Sequence, residues 1–202
     1  MNRFEVALTL VCASCLLMTG CSGSSKRVQQ PGYSSGPGSA AISAYDSNSD
    51  SAIADNEFDS VPALRASLAQ VDADGDGRIT AKEIDDRVDA WKESRIGQMA
   101  AICEVTLDGK PLANANVAFD PEPFLGSDLP TGSGTTGEAG MVGISQPDTT
   151  PGLPPGWYKI RVTSSNREIP ARYNSKTTLG CEVASYCHWQ NDGAVKLVLT
   201  SK

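Results

Sequence analysis

The sequence is organised around residues 72–83, Asp-Ala-Asp-Gly-Asp-Gly-Arg-Ile-Thr-Ala-Lys-Glu. Carboxylates occupy positions 1, 3, 5 and 12 of this stretch, and Gly77 occupies position 6. Ca²⁺ prefers about six to eight oxygen ligands at about 2.3–2.6 Å, which carboxylates and backbone carbonyls can supply. Because crowded carboxylates repel one another, this spacing indicates a cation between them. Residues 72–83, the downstream loop, are therefore predicted to bind calcium.

Each predicted ligand in the downstream loop has a defined position. Carboxylate oxygens come from the acidic side chains, a backbone carbonyl comes from position 7, and the acidic residue at position 12 contributes both oxygens. The predicted ligands are Asp72, Asp74, Asp76, Arg78 and Glu83. Gly77 permits the sharp turn because glycine reaches positive φ without a steric cost. The pattern resembles the EF-hand loop at every defining position.

A second stretch, residues 46–57, matches the same pattern less completely and is called the upstream loop. Its predicted ligands are Asp46, Asn48, Asp50 and Glu57. Ser51 replaces glycine at position 6, and forcing it into left-handed geometry costs about 1–2 kcal/mol. We therefore expect a weaker calcium site; the alternative is a chance match in a linker rich in Ser, Asp and Asn. EF-hand loops commonly pair, so Ile53 and Ile79 at position 8 are predicted to meet in a short ladder.

The segments around the loops have helical periodicity. Apolar residues recur on one helical face between the loops and again after the downstream loop: Val61, Leu64, Leu68, Val71, Ile84, Val88 and Trp91. Gly97 is the predicted end of the second helix. The closely spaced loops resemble the compact EF-hand pairs of bacterial secreted proteins, which predicts a helical EF-hand pair over residues 42–97.

After Gly97 the pattern changes to alternation. Apolar and polar residues alternate from residue 101 to 107, and Asp108-Gly109 is a hairpin turn signal. Further short strands are predicted through Val117 and Phe119, near 141–144, and at 157–163, 179–183 and 195–199, which suggests a β-sandwich. The stretches "VTLDGKPLANANVAFDPE", "PGWYKIRV" and "IPARYNSKTTL" resemble the transthyretin-like, carboxypeptidase-regulatory-like domain over residues 98–202. That resemblance implies a fold and no particular activity.

The expected fold class is therefore α+β and multidomain, with an N-terminal helical EF-hand pair followed by a C-terminal all-β sandwich of the transthyretin-like or prealbumin-like type.

The N-terminus predicts export and a lipid anchor. Residues 1–20 have a weakly basic start and a short apolar core, as in a signal peptide. The sequence Leu-Met-Thr-Gly-Cys at 17–21 resembles the bacterial lipobox, which implies acylation of Cys21. Residues 21–41 are rich in Ser, Gly, Pro and Gln, so we expect a disordered tether. The predicted location is the cell envelope, on the periplasmic or outer-membrane side.

Composition and the remaining reactive residues argue against catalysis and nucleic-acid binding. The formal net charge is −7, whereas phosphate binding needs a basic surface. His188 is the single histidine, and no catalytic motif surrounds it. Cys103 and Cys181 occupy the apolar positions of predicted strands, and a Cys181–Cys187 disulfide is one alternative to buried thiols. No catalytic residue is predicted, and we expect the protein not to be an enzyme.

These observations favour an exported, lipid-anchored calcium-binding protein with a structural or adhesive role in the cell envelope. Its expected partners are the membrane, through the lipid anchor, and an unidentified protein or other envelope component. Two alternatives stay open: a peptide- or carbohydrate-binding module, and a regulatory subunit of an envelope hydrolase.

Overall fold

The computed structural model describes residues 28–185, 187 and 192–202. The predicted signal peptide, the predicted lipidation site Cys21 and His188 lie outside the described residues. In the described part of the chain, no helix has both the length and the apolar character needed to cross a membrane.

Among the residues that the structure describes, ten strands account for most of the regular structure. They are β1 (Ala52–Ile53), β2 (Ile79–Thr80), β3 (Ile102–Leu107), β4 (Lys110–Pro111), β5 (Ala115–Pro121), β6 (Gly132–Thr135), β7 (Met141–Gly143), β8 (Gly156–Ser164), β9 (Leu179–Val183) and β10 (Val195–Leu199). One sheet is centred on β3, which pairs in parallel with β10 on one side and antiparallel with β4 and β7 on the other. The second sheet has the order β6-β5-β8-β9 and is antiparallel throughout.

Strand β3 confirms the alternation read from the sequence. Cys103 and Val105 are fully buried, whereas Ile102 is 38% exposed. Asp108 and Gly109 both have positive φ, 50° and 75°, as a two-residue hairpin turn requires. However, the returning strand β4 has only two residues, and the chain then crosses to the other sheet as β5.

The remaining regular structure of the described residues is helical. The α-helices are α1 (Pro37–Tyr45), α2 (Pro62–Ala66), α3 (Leu68–Val71) and α4 (Ala81–Ser94), and short 3₁₀ helices lie at Asp55–Asp59, Pro123–Leu125 and Ala171–Tyr173. The predicted helix between the loops is broken at Ser67, whose hydroxyl donates to the Ala63 carbonyl (2.7 Å) and accepts from the Trp157 indole N–H (2.9 Å). Helix α4 ends before the predicted Gly97, since Arg95 adopts left-handed geometry with φ 54°.

The predicted fold class, α+β and multidomain with a distinct EF-hand pair ahead of an all-β sandwich, is wrong. The described residues are about 25% helix and 29% strand, and their four short helices do not form a distinct N-terminal helical pair. The physical reason is that the apolar helical faces pack on the sheets. A Cβ built on Gly180 of β9 would lie only 2.4 Å from the Ala63 nitrogen, so α2 and β9 are in direct backbone contact.

One hydrophobic core extends across the predicted boundary at residues 97 and 98. The rings of Trp91 in α4 and Trp157 in β8 have centroids 4.4 Å apart. Arg87 and Trp91 both donate to the buried carboxylate of Glu182 in β9, at 2.7 and 2.9 Å. Such contacts between helix and sheet resist separation because a buried ion pair that loses one partner leaves an uncompensated charge.

Residues 28–41 belong to the segment predicted as a disordered tether, and in the structure they make specific contacts with the rest of the chain. Gln30 donates from its side-chain amide to the carbonyls of Trp91 (2.7 Å) and Ile96 (3.1 Å). The Tyr33 hydroxyl donates to the Pro155 carbonyl at 2.8 Å, and its ring packs 5.9 Å from that of Trp91. Helix α1 then begins at Pro37. Composition missed this because a few specific polar contacts, rather than a long apolar stretch, hold the segment in place.

Candidate metal centre

The downstream loop folds around the carboxylate of Asp72, which follows helix α3. Its Oδ1 accepts N–H donors from Gly75 (2.7 Å) and Asp76 (3.2 Å), and its Oδ2 accepts from Gly77 (2.9 Å). The hydrogen bond from the Gly77 backbone is the largest of the effects that hold the pKa of Asp72 below its usual value. The carboxylate is therefore kept ionised inside a ring of backbone donors.

Three carboxylates of this loop converge. One oxygen from each of Asp72, Asp74 and Asp76 lies within 4.8 Å of the other two. Asp74 and Asp76 are exposed, and Asp72 is partly buried. Within the described ranges, this is the one set of three His, Cys, Asp or Glu side chains with such spacing. All of the donors are oxygen, which suits a hard cation rather than zinc or copper.

Glu83, the predicted bidentate ligand, does not belong to this group in the structure. Its Oε1 accepts from the Ala73 N–H (2.9 Å), and its Oε2 accepts from the Thr80 N–H (2.9 Å). With the Thr80 side chain accepting from the Glu83 N–H, these contacts form the capping box at the start of α4. A ligand role for Glu83 requires its carboxylate to move toward the three aspartates.

The upstream loop repeats this hydrogen-bond pattern. Asp46 accepts from the N–H groups of Ser49 (2.6 Å), Asp50 (3.2 Å) and Ser51 (2.9 Å), as Asp72 does in the downstream loop. Asn48 Oδ1 accepts from the Asp50 N–H at 2.8 Å, as Asp74 does from Asp76 at 3.2 Å. The predicted similarity of the two loops therefore extends to their backbone donors.

Glu57 closes the upstream loop as Glu83 closes the downstream loop. Its carboxylate accepts from the backbone N–H groups of Ala54 (3.0 Å), Ser47 (2.7 Å) and Asn48 (3.3 Å). The bond from Ala54 is the largest of the effects that lower the pKa of Glu57. Glu57 is only 5% exposed, so these donors compensate a nearly buried charge.

Both loops use left-handed backbone at positions 4 and 6. In the downstream loop these positions are Gly75 (φ 76°) and Gly77 (φ 82°), and in the upstream loop they are Ser49 (φ 64°) and Ser51 (φ 71°). The strain at Ser51 was predicted from the sequence, whereas the strain at Ser49 was not, although Gly75 at the same position of the other loop was the available signal. At about 1–2 kcal/mol each, the two serines make the upstream loop the more costly one to form.

A short antiparallel ladder joins the two loops. Ile53 pairs with Ile79 and Ala52 pairs with Thr80, so the predicted contact between the position-8 residues is confirmed. Both isoleucines are fully buried, and they belong to the same core as the sheets. The ladder fixes the loops side by side, with Asn48, Asp50, Asp74 and Asp76 exposed to solvent and the two isoleucines in the core.

Arg78 has two separate roles in this geometry. Its backbone N–H donates to Asp76 Oδ1 at 2.8 Å, and its carbonyl is the predicted ligand at position 7. Its guanidinium crosses the ladder and pairs with Asp50 of the upstream loop at 2.8 Å. This ion pair could not be predicted from the loop pattern, because position 7 contributes only its backbone carbonyl to the predicted site.

A buried acid that the sequence did not reveal lies beside the upstream loop. Glu122 is fully buried; its Oε2 accepts from the Tyr45 hydroxyl at 3.0 Å, and the Lys159 Nζ lies 3.6 Å away. Its Oε1 has no hydrogen-bond partner among the described residues. Burial is the largest effect on this carboxyl and raises its pKa to about 7, although Lys159 and Tyr45 act in the opposite direction. Tyr45 directly precedes Asp46 in the chain.

Three cysteines, Cys103, Cys181 and Cys187, are buried as thiols. Cys103, Cys181 and Cys187 are each at most 2% exposed. Burial raises the pKa of Cys103 to about 12 and that of Cys181 well above its usual value. Neither of these two thiols is therefore a thiolate nucleophile near neutral pH.

The chain matches no family model, no curated protein and no solved structure. Its function must therefore be inferred from its own residues.

Proposed function

We propose that this protein binds calcium and that its principal site is the downstream loop. The observation that carries the proposal is the convergence of Asp72, Asp74 and Asp76 within 4.8 Å of one another. Like charges at this distance are unfavourable unless a cation lies between them. The backbone donors around Asp72 preorganise the loop, so that binding the ion requires little further ordering of the backbone.

The proposed ligands are Asp72, Asp74 and Asp76 through their carboxylates, Arg78 through its carbonyl and Glu83 through its side chain. Calcium fits this set better than magnesium, because calcium accepts irregular coordination by six to eight oxygens whereas magnesium demands a near-ideal octahedron. When bound, the ion supplies positive charge that neutralises the carboxylates. The chain's own contribution is to hold the ligands close together on a rigid ladder and core.

The upstream loop is the proposed second and weaker site, with Asp46, Asn48, Asp50 and Glu57 as ligands. Its backbone pattern supports the proposal, since the donors around Asp46 repeat those around Asp72. Its weakness follows from the two left-handed serines and from an amide, Asn48, in place of the carboxylate at position 3.

We place the protein in the cell envelope, exported and lipid-anchored through Cys21, with a structural or adhesive role. The sequence resemblance of residues 17–21 to a lipobox supports this part of the proposal. The ion itself is expected to stabilise the fold. The loops share one core with the sheets, and an ion that binds only the folded state stabilises that state.

Calorimetric titration of the chain carrying Cys21→Ser tests the proposal. Asp74→Asn removes a carboxylate charge and keeps the oxygen that accepts from Asp76, so calcium affinity should fall by at least about tenfold, equivalent to about 1.4 kcal/mol. The matched control is Asp148→Asn, since Asp148 accepts from the Thr150 N–H at 3.0 Å in a similar local turn outside both loops. Equal affinity in the two variants would contradict the assignment of the site.

A further inference from the structure

Arg78 of the downstream loop forms an ion pair with the upstream loop, and among the described residues the upstream loop forms no equivalent ion pair with the downstream loop. The backbone of Arg78 belongs to the downstream loop, and one guanidinium nitrogen lies 2.8 Å from Asp50 Oδ1 of the upstream loop. Position 7 of the upstream loop, equivalent to Arg78, is Ala52, whose side chain is an uncharged methyl group. The salt bridges within the described ranges do not include Asp76, the residue of the downstream loop that corresponds to Asp50.

The carboxylate that Arg78 contacts is one of those expected to bind an ion in the upstream loop. Asp50 Oδ1 accepts from the Ala52 N–H at 3.2 Å, just as Asp76 Oδ1 accepts from the Arg78 N–H at 2.8 Å. The two aspartates therefore hold equivalent oxygens at position 5 of their loops. In the downstream loop the carboxylate at position 5 is one of the three that converge, whereas in the upstream loop the carboxylate at position 5 is paired with a guanidinium.

The number of carboxylates in each loop also indicates that the upstream loop binds calcium less tightly. The proposed ligands of the downstream loop include four carboxylates, whereas those of the upstream loop include three, because Asn48 replaces an aspartate. Arg78 adds one positive charge to the weaker set.

We infer that Arg78 is the internal cation of the upstream loop and limits the chain to one tightly bound calcium ion, held in the downstream loop. This inference rests on the proposed function. A dication in the upstream loop has to displace the guanidinium from Asp50 or accept a like charge within a few ångströms, and either requirement weakens binding. Arg78 thus sets the stoichiometry, while its carbonyl serves the neighbouring site.

The test counts calcium ions per chain by native mass spectrometry and calorimetry on the full chain, comparing wild type with Arg78→Gln. Wild type should bind one ion in the tight range. Arg78→Gln keeps the backbone carbonyl and removes the charge, so it should bind two, with the affinity of the upstream loop raised at least about tenfold. Arg78→Lys keeps the charge and should bind one ion.

Lys82→Gln is the matched control. It removes one positive charge from the same loop, but Lys82 pairs with Asp86 on the exposed side of α4 and does not contact the upstream loop. Lys82→Gln should bind one ion. If both Gln variants bind a second ion, the number of bound ions depends only on net charge, and the proposed role of Arg78 is overturned.

The outcomes separate the inference from the proposed function. One ion in wild type, Arg78→Gln and Lys82→Gln alike would overturn the role of Arg78 and leave the downstream site in place. Two ions of similar affinity in wild type would also overturn it. No ion in any variant would remove the proposed function and the inference together.

Discussion

Replacing Glu122 by Gln should abolish a pH dependence of stability that one buried carboxyl creates. Glu122 is fully buried, and its Oε1 lacks a hydrogen-bond partner among the described residues. Burial raises its pKa from 4.5 to about 7 against the opposing effects of Lys159 and Tyr45. The folded protein therefore holds the proton of Glu122 more tightly than the unfolded chain does.

The sign and size of the effect follow from this difference. Because the folded state binds more protons in this range, the free energy of unfolding falls as the pH rises from 4.5 to about 7. Each pKa unit corresponds to about 1.4 kcal/mol, so the total loss is about 3 kcal/mol. Asp72 and Glu57 behave oppositely: their pKa values are lowered, so their contribution is lost only as the pH falls below their usual values of 3.8 and 4.5.

Urea unfolding in EDTA at a series of pH values measures the effect without a contribution from metal. Wild type should lose about 3 kcal/mol between about pH 4.5 and pH 8, and Glu122→Gln, which is neutral throughout, should lose none of this. Glu93→Gln is the control because Glu93 is an exposed carboxyl on α4. Parallel stability curves for wild type and Glu122→Gln across this range would refute the reasoning.

Three further predictions follow from the packing and the proposed anchor. Gly180→Ala should lower the free energy of unfolding by about 1–3 kcal/mol, because its Cβ would lie 2.4 Å from the Ala63 nitrogen. Gly143→Ala, with nothing within 4 Å of its Cβ, is the control, and equal losses in denaturant melts would contradict the tight contact of α2 with β9. Calcium at a hundredfold excess over its Kd should stabilise the fold by about 2.7 kcal/mol and slow hydrogen exchange in the sheets as well as in the loops. Slower exchange confined to the loops would mean that the shared core does not transmit the effect. Cys21→Ser should move the exported protein from the membrane fraction to the soluble fraction, and a variant retained in the membrane fraction would refute the lipid anchor.

Several features could be predicted from the sequence because they depend on local spacing. The alternation from residue 101 to 107, the turn at Asp108-Gly109 and the pairing of Ile53 with Ile79 are all present in the structure. The first two depend on the side-chain period of a strand and on a turn that needs positive φ, which are properties of a few consecutive residues. The contact of Ile53 with Ile79 is not local, and it could be predicted because two loops with the same internal spacing were expected to pair.

The features that could not be predicted depend on residues far apart in the chain. Helical periodicity indicated an apolar face on α4 without indicating that this face packs on β8 and β9 through Trp157 and Glu182. At the helix break, the Ser67 hydroxyl accepts a hydrogen bond from the indole of Trp157, which lies 90 residues away in the chain. The reach of Arg78 to Asp50 depends on the ladder that brings the loops together. Helix prediction therefore gave a separate helical domain where the structure has a shared core.

A calcium titration followed by the backbone amide resonances tests the central claim most directly. The Gly77 N–H donates to Asp72 Oδ2 at 2.9 Å, and the Ser51 N–H donates to Asp46 Oδ2 at 2.9 Å, so each amide reports on the first carboxylate of its own loop. We predict that the Gly77 resonance shifts at the lowest calcium concentrations and that the Ser51 resonance shifts only at higher ones. A Gly77 resonance that stays in place up to about millimolar calcium, the range of weak extracellular sites, would contradict the claim that the downstream loop binds this ion.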